Sequence, residues 1–250
     1  MPNFKFENKK VYYKTTGQGE PLMLLHGNTM SSKMFGTVIK KYAKNFKVIL
    51  VDFPGHGMSD RVEKFETDFW YYNSEVTYAL IQELELEKVS VVGTSGGALV
   101  ALNLGLEHPE CIKCLIADSF EGEFPLTSYV ETIEKDREAD KKKLLAKVIW
   151  WYCHGSDWGK VVDLDTLVNI EFYKTCKSFF HKCISELNVP TLITGSKKDE
   201  YCDQLDKIYS DLKKKNEMLD IYLFEKGSHP AMISNKNEFL EIVKQKINHN

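Results

Sequence analysis

Apolar and polar positions follow two rhythms along this chain. Six short runs, at 22–25, 46–51, 89–92, 111–117, 189–195 and 219–224, are mostly apolar, too brief for ordinary helices and rich in residues that suit strands. They show little alternation, as strands covered on both faces would. Between them the period becomes helical. In 31–44, Met34, Val38, Ile39 and Tyr42 share one side. In 68–84, Val76, Leu80 and Leu84 stack at i, i+4 spacing, and 98–106 is apolar nearly all round. Two further runs, 4–7 and 11–14, flank Asn8-Lys9-Lys10 and predict an antiparallel hairpin at a sheet edge. Strands alternating with helices predict an α/β fold, a mostly parallel sheet of eight strands with helices on both faces.

The alternation stops at Asp118. From Ser119 to Leu187 there is a charged helix at 129–143, an aromatic group Trp150-Trp151-Tyr152, then Trp158 and a helix carrying Phe172, Tyr173, Phe179 and Phe180. No strand pattern interrupts them. The segment 119–187 reads as a helical cap inserted into a core domain formed by 1–118 and 188–250. The charges of 131–143 mix signs and read as a solvated helix face. After the insertion, helices are predicted at 203–215 and 231–247.

Composition narrows the function classes. With 250 residues, 43% of them hydrophobic, the chain can bury one sizeable core. A formal net charge of −3 gives no electrostatic case for nucleic acid or an anionic membrane as partner. The first ten residues lack the apolar core of a signal peptide, and no run approaches the roughly 20 apolar residues that span a bilayer. A cytoplasmic location is expected. The six cysteines are scattered, so free thiols are expected. Cys111 and Cys114 form a C-x-x-C without a second pair or a histidine pair at zinc spacing. Neither a metal nor a cofactor is predicted.

In parallel sheets the loops at the carboxyl ends of the strands gather on one rim, where ligands bind. Ser95 stands there, in Gly93-Thr94-Ser95-Gly96-Gly97, where the strand at 89–92 turns into the helix at 98–106. Such a turn strains the serine backbone, and flanking glycines let it close. A serine hydroxyl becomes a nucleophile when a histidine, oriented by a carboxylate, takes its proton. Among the seven histidines, His229 follows the last strand and is the best base. His26 and His56 lie inside glycine turns and read as loop braces. Asp199, after the strand at 189–195, is the preferred carboxylate, and Asp118, which also follows a strand, is its competitor. Backbone N–H groups of Gly96 and of Asn28, ahead of Thr29, would hold an oxyanion.

His26-Gly27-Asn28, Gly55-His56-Gly57-Met58-Ser59-Asp60, the Ser95 motif, the segment from Gly195 to Asp199 and Gly227-Ser228-His229 together resemble the α/β-hydrolase fold superfamily. The order Ser95, Asp199, His229 is that family's order. The resemblance implies a serine hydrolase, most economically a carboxylesterase acting on a small or medium, largely apolar ester through an acyl-enzyme. Thioesterase, C–C bond hydrolase, amidase and perhydrolase chemistry use the same parts. A non-catalytic receptor of the same fold is the alternative of another class. A small-molecule substrate and a monomer or homodimer are implied. Dehalogenases and epoxide hydrolases of the family carry Asp where this chain has Ser95. Gly96 stands where many relatives carry Met or another larger residue, which predicts a roomier elbow. Trp150, Trp151, Trp158 and Phe180, with Met30 and Phe35, are candidates for an apolar pocket roof. Arg61 and Arg137 are the only arginines, and no arginine cluster at the rim invites a polyanionic substrate.

Overall fold

A computed structural model describes residues 2–176, 178–202 and 204–249. The sheet has eight strands in the order β1-β2-β4-β3-β5-β6-β7-β8. The edge hairpin pairs β1 (Asn3–Phe6) with β2 (Lys9–Thr16), and Glu7 and Asn8 turn it with φ of 47° and 65°. β2 also runs antiparallel to β4 (Lys47–Val51). All other pairings are parallel, through β3 (Pro21–Leu25), β5 (Val89–Thr94), β6 (Ile112–Asp118), β7 (Thr191–Ser196) and β8 (Leu219–Phe224).

The register explains why these strands are apolar without alternation. Leu50, Leu24, Val92, Ile116 and Leu192 form one row across the sheet, facing α1 (Ile39–Tyr42) and α9 (Lys236–Asn248). The neighbouring row, Ile49, Met23, Val91 and Leu115, faces the opposite core with α2 (Phe69–Glu83) and α3 (Gly96–Glu107). Each side chain in these rows contributes about 1.5–3 kcal/mol by leaving water. Both faces are thus filled, which leaves the strand ends to build a site, and Ser95 lies at the carboxyl end of β5.

Three helices, α4 (Thr127–Asp140), α5 (Leu144–His154) and α6 (Trp158–Thr175), lie between β6 and β7, as the helical pattern predicts. α7 (Leu205–Lys215) and the short α8 (Ala231–Ser234) complete the fold. Several boundaries differ from expectation. The stretch 31–44 opens with a tight 3-10 segment, Ser32–Thr37, capped by the Ser31 hydroxyl, before the single turn of α1. The last helix breaks at Asn235, whose side chain donates to Lys226 O and Ser196 Oγ instead of facing outward along a continuous helix. Phe179 and Phe180 follow α6 rather than ride on it, because α6 ends at Thr175. Asp203, the predicted start of the helix at 203–215, lies outside the described residues. Among the described residues no helix is long and apolar enough to cross a membrane. Cys111, Cys114, Cys153, Cys176 and Cys183 are free thiols.

Candidate active site

Ser95 sits between β5 and α3 with φ 56° and ψ −128°. A non-glycine residue held there costs about 1–3 kcal/mol and persists only when its surroundings dictate it. Here the Ser95 N–H donates to Asp118 O on the neighbouring strand at 2.7 Å, and the helix begins at the next residue. The turn is so tight that a Cβ on Gly93 would lie 2.0 Å from Gly97 O. Only glycine fits.

Gly96 corrects an expectation. A Cβ there would lie 1.9 Å from Asn28 Oδ1. The space beside the elbow is filled by the Asn28 carboxamide, so it is not roomier. That carboxamide accepts from Trp70 Nε1 at 3.3 Å and donates to Asn169 Oδ1 at 3.5 Å. Gly96 is the first residue of α3, where an N–H has no acceptor within its own helix.

His229 Nδ1 pairs with Asp199 Oδ2 at 2.8 Å. Asp199 Oδ1 accepts the backbone N–H groups of Tyr201 and Cys202 at 2.9 and 3.0 Å. Burial pushes the Asp199 carboxyl up, but the His229 hydrogen bond and charge and the two N–H donors more than offset it and hold it below the usual range. Burial likewise pushes the His229 imidazole down, and the bond to Asp199 with the surrounding carboxylates more than offsets that and raises it.

Asp118, the competing carboxylate, is fully buried and spoken for. It accepts Thr194 Oγ1 at 2.8 Å, Thr94 Oγ1 at 3.0 Å, Met232 N at 2.9 Å and Ser119 Oγ at 3.2 Å. Burial lifts its pKa to about 6 against these donors. It ties β5, β6, β7 and α8 together.

Ser95, His229, Gly27, Asn28 and Gly96 line one cavity of about 600 Å³. Met30 and Trp150 line it, joined by Met34, Leu99, Leu126, Leu145 and Ile149. The other four roof candidates lie elsewhere. Phe35 is turned into the core beneath the sheet beside Val38 and Tyr42. Trp151, one residue from Trp150 and so about 100° around the helix, points to solvent and is 61% exposed. Trp158 stacks on Trp150 at 5.5 Å from behind. Phe180 belongs to the core on the α2 and α3 side.

Sequence reasoning missed a polar wall formed by Glu121, Tyr129, Arg137, Glu200, Tyr201 and Cys202. Arg137 donates to Thr29 Oγ1 at 3.2 Å and to Tyr129 OH at 3.3 Å, and pairs with the buried Asp165 at 3.5 Å. The missed signal is a stripe: Tyr129, Ile133 and Arg137 recur every four residues and, with Val130 and Asp140, are the less exposed positions of α4.

The inserted helices are fastened to the rim loops by polar contacts. Asp165 Oδ2 accepts Thr29 N at 3.2 Å, and His154 Nε2 donates to Thr29 O at 2.9 Å. His154 Nδ1 accepts Gly57 N at 3.0 Å. Arg61 clasps Asp157 at 2.7 and 3.0 Å, His154 O at 2.7 Å and Gly57 O at 3.0 Å. His26 and His56 brace their loops as predicted: His26 Nε2 accepts Phe53 N at 3.1 Å, and His56 Nδ1 contacts Pro54 O at 3.2 Å.

Residues 20–149 match the model of a family described as the alpha/beta hydrolase fold. Over 165 residues the chain is 27% identical to a pimeloyl-[acyl-carrier protein] methyl ester esterase of Nitrosospira multiformis, covering 61% of this chain and 62% of that one. Over 124 residues it is 30% identical to a 2-hydroxymuconate semialdehyde hydrolase of a Pseudomonas species, covering 47% of this chain and 43% of the other. The matches thus span less than two thirds of these curated relatives. In three dimensions it superposes on an esterase from Exiguobacterium antarcticum with a TM-score of 0.76, 20% identity and 96% of each chain covered. Eight strands in this order, helices on both faces and a family model matching more than half of the sequence make this chain a member of the α/β-hydrolase fold family.

Proposed function

We propose that this hydrolase cleaves a small or medium carboxylic ester through an acyl-enzyme on Ser95, with His229 as base and Asp199 as its orienting carboxylate. The observation that carries this reading is the convergence of Ser95 and the bonded Asp199–His229 pair on one cavity. With Nδ1 engaged by Asp199, Nε2 is left to accept the Ser95 proton. Oγ bonds to the substrate carbonyl carbon, and the oxyanion gathers at the backbone N–H groups of Gly96 and Asn28, helped by the N-terminus of α3. His229 returns the proton to the departing alkoxide. It then deprotonates a water, which releases the acyl group. The segment 119–187 acts as the cap. Met30, Leu126, Leu145, Ile149 and Trp150 suit an apolar acyl or alcohol chain.

A fluorophosphonate should label Ser95, and short p-nitrophenyl esters should be turned over. Loss of both in Ser95→Ala is expected. An unlabelled wild type, or full turnover in that variant, would overturn the reading. A second reading, cleavage of a C–C bond beside a ketone, is favoured by the polar wall of Tyr129, Arg137 and Glu121 and by the likeness to the 2-hydroxymuconate semialdehyde hydrolase. Turnover of a vinylogous diketone acid that exceeds turnover of every ester would select it.

A further inference from the structure

Cys202 does not belong to the hydrolytic machinery, yet its thiol stands beside it. One ligand atom each of Asp199, Cys202 and His229 lie within 4.8 Å of one another. Asp199 and Cys202 are buried, and Cys202 and His229 both border the cavity. A thiolate and an imidazole are the donors that borderline divalent cations select, and zinc also accepts a carboxylate oxygen beside them. Tetrahedral zinc with bonds of about 2.0–2.3 Å sets its donor atoms about 3.3–3.8 Å apart. Closing this trio to that spacing requires the 2.8 Å Asp199–His229 contact to open slightly and the Cys202 side chain to swing in by an ångström or less. The fourth position would face the cavity, as in three-ligand zinc sites that keep one coordination place open.

We propose that Asp199, Cys202 and His229 form an inhibitory site for a thiophilic divalent cation such as Zn²⁺ or Cd²⁺. The cation bonds to a carboxylate oxygen of Asp199, the sulfur of Cys202 and Nδ1 of His229. The thiol proton leaves to solvent. The imidazole proton shifts from Nδ1 to Nε2, so the ring stays neutral but loses the lone pair that would accept the Ser95 proton. Nothing is oxidised or reduced. Capture by one thiol therefore stops hydrolysis without touching the nucleophile.

Metal binding is independent of the hydrolase reading; only the inhibition arm rests on it. Untagged protein, freed of metal, is titrated with Cd²⁺ while the thiolate-to-cadmium charge-transfer band is followed, and with Zn²⁺ while ester turnover is followed. One equivalent of Cd²⁺ should give the band, and turnover should fall in step with Zn²⁺ occupancy. Cys202→Ser and Cys202→Ala should lose the band and need at least about tenfold more Zn²⁺ for the same fractional inhibition. Cys183→Ser, at an exposed cysteine that does not line the cavity, should behave as wild type. If both Cys202 variants fail to fold, His229→Gln should weaken Cd²⁺ binding with the thiol retained. An unchanged band in a folded Cys202 or His229 variant, or equal Zn²⁺ inhibition with and without Cys202, overturns the proposal. A band that depends on Cys202 in a protein that hydrolyses no ester leaves the site standing and removes the esterase reading instead.

Discussion

Gly96 and Asn28 occupy one another's space, and this pair gives the most local test of the oxyanion geometry. In Gly96→Ala the new methyl must displace the Asn28 carboxamide, which sits 1.9 Å from the Cβ position. The loop bearing the Asn28 N–H moves with it, and kcat should fall by about 10²-fold, as when one oxyanion donor is lost. Asn28→Ala keeps the backbone donor and loses only side-chain bonds to Trp70 and Asn169, so kcat should change by less than about tenfold. The double variant should recover most of the Gly96→Ala loss, a coupling of about 1–3 kcal/mol in a double-mutant cycle read from kcat/KM. Additive losses would mean that the two residues do not compete. The carboxylates differ in the same concrete way. Asp199→Asn should lower kcat by about 10⁴-fold with little change in stability, because an amide cannot hold the imidazole in the working tautomer. Asp118→Asn should keep kcat within about tenfold but cost about 1–3 kcal/mol in a urea titration, since four donors converge on a group that can no longer accept them all. The positions of Ser95, Asp199 and His229 were legible because each follows a strand in a short motif, and strand ends share a rim whatever the sheet's details. The filled elbow was not, because it depends on where a side chain of another loop lands.

At the scale of elements, the inserted helices were visible but their faces were not. An α-helix advances about 100° per residue, so Trp150 and Trp151 cannot both face the cavity. Which one does is set by how α5 docks, and that follows from contacts far apart in sequence. The charge run of α4 hid the stripe of Tyr129, Ile133 and Arg137 for the same reason. The docking of α5 hangs on His154, which lies at its end and bonds Thr29 O and Gly57 N through its two ring nitrogens. Burial lowers its pKa from 6.5 to about 4; Arg61 and the nearby His26 push the same way, while the Thr29 bond and Asp52 oppose. The unfolded chain therefore takes up a proton near pH 6.5 that the folded chain refuses until about pH 4. Stability from this residue is present above pH 6.5 and is lost as pH falls through that window, by about 3 kcal/mol in all. His154→Gln carries no such proton, so the stability gap between wild type and variant should shrink by about that amount from pH 7 to pH 4 in urea titrations. A gap independent of pH would show that His154 is not held neutral.

At the scale of the whole molecule, Thr29 joins the three inserted helices to the proposed site. It is β-branched and held at φ 56°, a conformation such residues avoid. Every polar group of Thr29 is engaged by a different inserted helix: Oγ1 by Arg137 of α4, the carbonyl by His154 of α5 and the N–H by Asp165 of α6. Asn28, the proposed oxyanion donor, is the residue before it. Three helices thus over-determine a strained loop, and the strain should relax when one hold is released. Asp165 is the place to test this, because it is fully buried and does not line the cavity. In Asp165→Leu the Thr29 N–H loses its acceptor and Arg137 its partner, which should cost about 3–5 kcal/mol of stability. If the variant remains folded at low temperature, kcat should fall by about 10²-fold while KM stays within about threefold, the pattern of an interaction made mainly in the transition state. Asp165→Asn can still accept the Thr29 N–H through its carbonyl oxygen and should regain most of that loss, although the ion pair is gone. Trp150→Ala should behave oppositely, raising KM for longer acyl chains with kcat little changed, because it removes only a wall. If Asp165→Asn loses as much kcat as Asp165→Leu, the ion pair rather than the Thr29 contact sets the loop. If both raise KM alone, the inserted helices shape the cavity but do not position the oxyanion donor.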